Sequence, residues 1–201
     1  MKKALLFDIG NVLFHFSYPL MCQQIAEVIG RSTQLVDREL TDNQYGIQYE
    51  TGQIELDTLI SHFNQLASRP FSAAEFTDAA CSIFSPNNEV IDLVQELKNR
   101  DHPLLIISNT CTMHFDFLCS NYSVFSLFDH HIVSHKIGAR KPDRHIFKAA
   151  LNAAKREAHD CFYIDDILDY VAAANALGID GFHYTPKANL KQELVNRGFL
   201  D

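Results

Sequence analysis

The chain has no pair of cysteines in CxxC spacing, no dense run of lysine and arginine, and no long uninterrupted apolar segment. Each absence removes a class of protein. Five cysteines (Cys22, Cys81, Cys111, Cys119, Cys161) are odd in number, which fits reduced, mostly buried thiols in a cytoplasmic chain rather than a disulfide framework. A net charge of −8 with no basic cluster argues against nucleic acid as a partner. A membrane helix needs about 20 apolar residues, and no segment approaches that. The opening "MKKALLF" has the charge of a signal peptide. However, Asp8 interrupts the apolar stretch and no small-residue cleavage site follows, so it reads as a strand. Repeats, low-complexity tracts and flexible linkers are also missing.

What is present is an ordinary globular composition. The 201 residues are 47% hydrophobic and 21% charged, enough for one domain, or a domain with an insert, around a real core. Two apolar runs stop abruptly at acid: "KALLFDIGNVLF" (3–14) at Asp8, and "CFYIDDILDYVAAANALGI" (161–179) at Asp165 and Asp166. Further strand signals are "HPLLIISN" (102–109), the weaker "DHHIVSH" (129–135) and "IDGFHYT" (179–185). Helical stretches lie between them at 112–120, 143–157 and 168–177, the last closed by Gly178, and a final helix is expected over 187–197 after Pro186. Strands alternating with helices predict a doubly wound α/β core with a parallel sheet.

Residues 15–90 break that alternation and read as helices only, including "LDTLISHFNQLA" with its apolar stripe and "AAEFTDAACSIF", opened by a Ser72 to Glu75 capping box. The expected organisation is therefore a core of 1–14 and 91–201 with a small helical cap, 15–90, inserted after the first strand.

In open α/β sheets, ligands bind outside the carboxyl ends of the strands. Asp8, Asp165 and Asp166 would meet there, and three carboxylates in one crevice repel unless a cation joins them. Hard oxygen ligands suit Mg²⁺. Asp8 could be a metal ligand, a nucleophile or both, and the Gly10 carbonyl could face a cation. Ser108, Asn109 and Thr110 end a strand before a helix, which suits either a phosphate cradle or plain N-capping. Lys141, just before Pro142, would balance the carboxylates and hold a phosphoryl group as a point cation; Arg140 reads as surface. Asp169 either joins the acidic group or favours its helix start. A zinc site at His131 and His135 fails on distance, because four strand residues span roughly 13 Å. A Cys111–His114 dyad is less attractive than a buried thiol. Tyr45 and Tyr49 either face a ligand or pack the insert.

An Asp ending the first strand, Ser/Thr ending the second, Lys before Pro and an acidic pair ending the fourth, in that order, resemble the haloacid dehalogenase superfamily over essentially the whole chain. "YETGQIELDTL" (49–59) is similar to the cap of its branch with glucose-1-phosphate phosphatases and the phosphatase half of some epoxide hydrolases. The resemblance implies a Rossmann-like core and a Mg²⁺-dependent phosphatase. Asp8 would be the nucleophile forming an aspartyl-phosphate, and Asp8, Gly10 and Asp166 would hold the metal. Ser108, Asn109 and Lys141 would hold the phosphoryl oxygens, and Asp165 would orient Lys141. It also implies a small phosphorylated metabolite as substrate and a monomer or dimer.

Two positions depart from the family. Gly10 stands where most members carry an Asp acting as general acid/base, so either another group donates the proton, for instance from the cap, or the leaving alcohol needs little help, as with that of a sugar 1-phosphate. Tyr170 stands where Asn or Asp follows the acidic pair, with Asp169 as a possible substitute. Metal-free 2-haloacid dehalogenases are the alternative within the fold, but they have Ser or Asn in place of the acidic pair and Tyr where this chain has Phe147. A catalytically impaired phosphometabolite binder is the alternative outside enzymology.

Overall fold

The computed structural model describes residues 2–201. In chain order the elements are β1 (Ala4–Phe7), β2 (Phe14–His15), α1 (Tyr18–Ile29), α2 (Thr33–Leu40), α3 (Tyr45–Glu50), α4 (Leu56–Leu66) and α5 (Ala73–Cys81). There follow β3 (Ser85–Pro86), α6 (Asn88–Asn99), β4 (Leu104–Ser108), α7 (Thr112–Asn121), β5 (His130–Val133) and α8 (Ser134–Ile137). The chain ends with α9 (Arg144–Ala154), β6 (Cys161–Asp165), α10 (Leu168–Ala176), β7 (Asp180–His183) and α11 (Leu190–Asn196).

The main sheet runs β5–β4–β1–β6–β7 with every neighbouring pair parallel. Its middle strand, β1, pairs Phe7 with Ile106 of β4 and with Ile164 of β6. Alternation along the strands divides the core between two faces. Leu5, Phe7, Leu104, Ile106, Phe162 and Ile164 pack with α6, α7 and α11 on one side. Ala4, Leu6, Leu105, Ile107 and Tyr163 pack with α9 and α10 on the other. That is the doubly wound architecture expected from the sequence.

Helices α1 to α5 lie between β2 and β3, which pair antiparallel as a two-stranded neck. Their apolar stripes close on one another: Ile25 and Ile29 of α1, Val36 of α2, Leu59 and Phe63 of α4, and Phe76 and Ala80 of α5. The same cluster takes in Cys111 and Met113 at the start of α7, so this helical layer is seated on the sheet's carboxyl end. The capping box opens α5 as expected: the Glu75 N–H donates to Ser72 Oγ at 3.2 Å, and the Ser72 N–H donates to Glu75 Oε2 at 2.8 Å. Ser72→Ala is expected to cost about 1 kcal/mol, read as a lower urea midpoint at unchanged slope.

Several boundaries differ from the sequence reading. The strand expected to run to residue 135 stops at Val133, because Ser134 turns its hydroxyl back to bridge the Thr110 main chain and a short helix follows. The last helix begins at Leu190 rather than 187; Asn189, not Pro186, caps it by accepting from the Gln192 N–H. Gly178, at φ 85, does close α10: its N–H donates to the Asn175 carbonyl and that of Ile179 to Ala174. Helices α3 and α6 were not foreseen. No helix among the described residues is long and apolar enough to cross a membrane.

Candidate active site

Asp8 follows β1 directly, so its carboxylate emerges at the carboxyl end of the central strand, between the ends of β4 and β6. The next residues fold back tightly: the Leu13 and Phe14 N–H groups both donate to the Ile9 carbonyl, and Asn11 sits at φ 53. That left-handed conformation, which Asn tolerates better than most residues, lets its amide donate to Asp166 Oδ2 at 3.0 Å. Asn11 therefore ties the first loop to the loop after β6. The sequence reading had passed over it.

Lys141 is 1% exposed, and its ammonium meets three oxygens: Asp165 Oδ2 at 2.6 Å, Asp8 Oδ1 at 2.8 Å and the Ile107 carbonyl at 3.1 Å. Burial pushes the ammonium down, but the facing charges of Asp8 and Asp165 outweigh it and leave its pKa raised. Asp165 is fully engaged. Its Oδ2 also accepts from the Tyr163 hydroxyl, and its Oδ1 from the Ile167 N–H at 2.8 Å. These contacts fix its carboxylate against the Lys141 ammonium.

Asn109 holds Lys141 from the main-chain side: the Lys141 N–H donates to Asn109 Oδ1 at 2.7 Å, and Asn109 Nδ2 donates to the Lys141 carbonyl at 3.1 Å. The Asn109 carboxamide is thus spent on the lysine loop. Tyr170, flagged as a departure, completes this side; its hydroxyl accepts from Asn109 at 3.3 Å and its ring centroid lies 5.2 Å from Lys141 Nζ. Asp169 is not drawn in. It is exposed in the first turn of α10, where it favours the helix start and substitutes for nothing. Ser108 is buried beside Asp8.

Asp8 is buried, and burial lifts its carboxyl to about 6; Lys141 and Ser108 pull down while the charge of Asp165 pushes further up. Its Oδ1 lies within ion-pair distance of Lys141, yet no donor is aligned to hydrogen-bond it. Asp166 is half-buried and also raised, chiefly by burial. Oxygens of Asp8, Asp165 and Asp166 lie within 4.8 Å of one another. With Asp165 matched by Lys141, Asp8 and Asp166 remain as two hard, negatively charged donors, one carrying an unaligned buried oxygen. This donor set fits a divalent cation such as Mg²⁺.

Beside Asp8, the residues Ile9, Gly10 and Ser108 border a cavity of about 480 Å³. Gly10, Ser108, Asn109, Thr110 and Arg140 line its polar end. Met21, Ile25, Leu59, Phe76, Ile83 and Met113 line much of the rest. A Cβ built on Gly10 would lie 2.8 Å from the Phe16 ring, so an aromatic side chain fills the place where a longer residue would project. Arg140, read as surface, is half-buried and paired with Glu50 at 3.2 Å.

The remaining candidates separate. His131 and His135 each bond a carbonyl, of Phe125 and Thr110, and share no site. Cys111 is buried with its thiol pushed up to about 12, and burial lowers His114 to about 4; the His114 ring bonds the Ala80 carbonyl. That is a packing pair, not a dyad. Tyr45 stacks on His62 within the helical layer, whereas buried Tyr49 lines the cavity. Phe147 is buried in the core edge-on to the Tyr163 ring at 5.5 Å, and it does not line the cavity.

The sequence matches the family model described as haloacid dehalogenase-like hydrolase over residues 2–178. The chain belongs to this family. Among curated proteins, it is 28% identical to the sesquiterpene phosphatase astK of Aspergillus oryzae, covering 96% of this chain and 94% of that protein. It is 27% identical to the drimenol cyclase drtB of Aspergillus calidoustus, covering 98% of this chain but 36% of that protein. Among solved structures, the haloacid dehalogenase family enzyme bt-2542 of Bacteroides thetaiotaomicron, complexed with magnesium and inorganic phosphate, superposes with a TM-score of 0.85 at 21% identity, covering 96% and 99% of the two chains.

Proposed function

We propose that this haloacid dehalogenase-like hydrolase removes phosphate from a monoester whose organic part is largely apolar, using Asp8 as nucleophile. Phosphatase activity and Mg²⁺ follow from the family together with its curated phosphatase relative and the magnesium and phosphate complex of its structural relative. The observation that carries the substrate class is the cavity, whose walls beyond the phosphate end are mostly hydrocarbon. Away from its polar end, where Met21, Ile25, Leu59, Phe76, Ile83 and Met113 form much of the lining, a sugar would find few partners for its hydroxyls; unmatched polar groups are costly to bury. An isoprenoid or alkyl tail has no such requirement, and about 480 Å³ is a normal size for a small-ligand site. The sesquiterpene phosphatase relative supports the same choice over the sugar phosphates that the sequence reading favoured.

In the proposed mechanism, Asp8 attacks phosphorus, the ester oxygen departs, and water then cleaves the aspartyl-phosphate. Lys141, held by Asp165 and by the Asn109 bridge, keeps a positive charge against the phosphoryl oxygens, where charge stabilisation counts most. Ser108 completes the cradle with the main-chain N–H groups leading into α7, other than those of Thr110 and Met113, which donate to Ser134 and Tyr49. Asp8, Asp166 and the Gly10 carbonyl would hold Mg²⁺, which offsets charge on the transferring group. The helical layer excludes water from the cavity.

The test is phosphate release from a series of n-alkyl and isoprenyl monophosphates beside sugar phosphates, with Mg²⁺ and with EDTA. Each buried CH₂ is worth about 0.8 kcal/mol, so kcat/KM should rise roughly three- to fourfold per carbon until the cavity is full. A flat response to chain length, or preference for a sugar phosphate, would defeat the substrate assignment.

A further inference from the structure

The proposed substrate sharpens a chemical problem. An aliphatic alcohol is a poor leaving group, and the residue two places after the nucleophile, Gly10, has no proton to offer. A Cβ there would meet the edge of the Phe16 ring at 2.8 Å, so a longer residue would have to displace that ring. Among the ionisable residues lining the cavity, Glu50 is the one carboxyl. We propose that Glu50, carried by the helical layer, is the general acid and base of this site, and this rests on the phosphatase reading above.

The placement of Glu50 is held from several directions. It is the last residue of α3, and the residues on either side are fixed to the core. Tyr49 is buried with its hydroxyl accepting from the Met113 N–H at 3.1 Å. Gly52, at φ 67, passes so close to α8 that a Cβ would collide with the His135 carbonyl oxygen. Glu50 itself pairs with Arg140, the neighbour of Lys141, at 3.2 Å. Glu50 lines the same cavity as Gly10, which follows the nucleophile, and Ser108.

The charges around it leave the carboxyl suited to proton exchange. Burial raises its pKa, while Arg140 and Lys141 oppose the shift; the Cys111 thiol also feels its charge. Arg140 keeps one buried N–H, on Nε, without a partner. The pair can therefore loosen as a phosphate arrives, with the guanidinium turning to the ester and the carboxyl to the leaving oxygen. In the first step the Asp8 oxygen bonds phosphorus, the ester P–O bond breaks, and the Glu50 proton passes to the departing alkoxide. In the second, water bonds phosphorus, the Asp8–phosphorus link breaks, and the water's proton returns to Glu50.

A clasp that merely holds the helical layer down would make the same ion pair, so the test separates the two by leaving group. In Glu50→Gln, kcat/KM for decyl phosphate should fall at least roughly 100-fold, and that for p-nitrophenyl phosphate less than tenfold, because nitrophenolate needs no proton. Loss of the base in the second step should add a pre-steady-state burst of nitrophenolate. Glu50→Asp, which keeps a carboxyl, should recover part of the decyl phosphate rate. Equal falls on both esters, or no fall on either, would overturn the assignment. Wild-type protein silent toward both esters would instead overturn the phosphatase reading beneath it.

Discussion

Asp8→Asn is expected to lower phosphate release by at least roughly 10³-fold while leaving the metal-free protein as stable as wild type at pH 7, or more so. The two halves of this result have different origins. An amide cannot form the acyl phosphate, so turnover is lost whatever the substrate. Stability follows from the charge balance around Lys141. The folded-state pKa of Asp8, about 6, lies above the ordinary 3.8, so the native protein holds this proton more tightly than the unfolded chain does. Stability is then undiminished in acid and falls as pH rises from about 3.8 through 6. Above that window the ionised Asp8 costs on the order of 3 kcal/mol, which the neutral Asn does not incur. Thermal unfolding with EDTA should place the variant at or above wild type at pH 7 and close to it at pH 4. Added Mg²⁺ should stabilise wild type more than the variant. A strongly destabilised Asp8→Asn would show that Asp8 is needed for folding as well as for reaction.

The second large effect is expected in Lys141→Met. The replacement fills the buried stem but strands two carboxylates that the ammonium had met at 2.8 and 2.6 Å. Breaking a buried pair from one side typically costs about 3–5 kcal/mol, and turnover should vanish with it. The pH dependence gives the cause away. Without the ammonium, burial lifts the carboxyl of Asp8 further, so protonation relieves the repulsion and the deficit shrinks as the solution is made acid. Urea midpoints at pH 5 and pH 7 for variant and wild type would measure this. A deficit equal at both pH values would mean that lost packing, rather than stranded charge, is responsible.

How much of this was legible in the sequence depends on the kind of signal. Asp8 and Asp165 could be read because an apolar run ending in acid marks a strand end, and strand ends of a parallel sheet converge; Lys141 could be read from its place in a loop just before Pro142. Asn11 could not, because nothing in a linear pattern announces a left-handed turn that aims an amide at Asp166. Asn109 was legible as a residue at a strand end, but the bond of its carboxamide to the main chain of residue 141 was not, because that contact is made only once the loops are folded together. Arg140 was set aside as surface, because its pairing with Glu50 depends on how the helical layer sits. α3 was missed for a local reason, since it has six residues with a glycine near its start. The signal for α6 was there: Val90, Leu93, Val94 and Leu97 recur at helical spacing and are buried.

The neck formed by β2 and β3 carries a consequence for how such a site can diversify. The chain leaves the sheet through Phe14–His15 and returns through Ser85–Pro86, side by side. Everything between is topologically one long loop clipped at its base, and lengthening a closed loop costs only logarithmically in entropy. The walls of the cavity can therefore be resized or exchanged between lineages while Asp8, Ser108, Lys141 and Asp165, all borne by the other side of the clip, keep their register. By the same topology, a proton donor on α3 would be part of the exchangeable piece. Each new set of walls would have to bring its own acid.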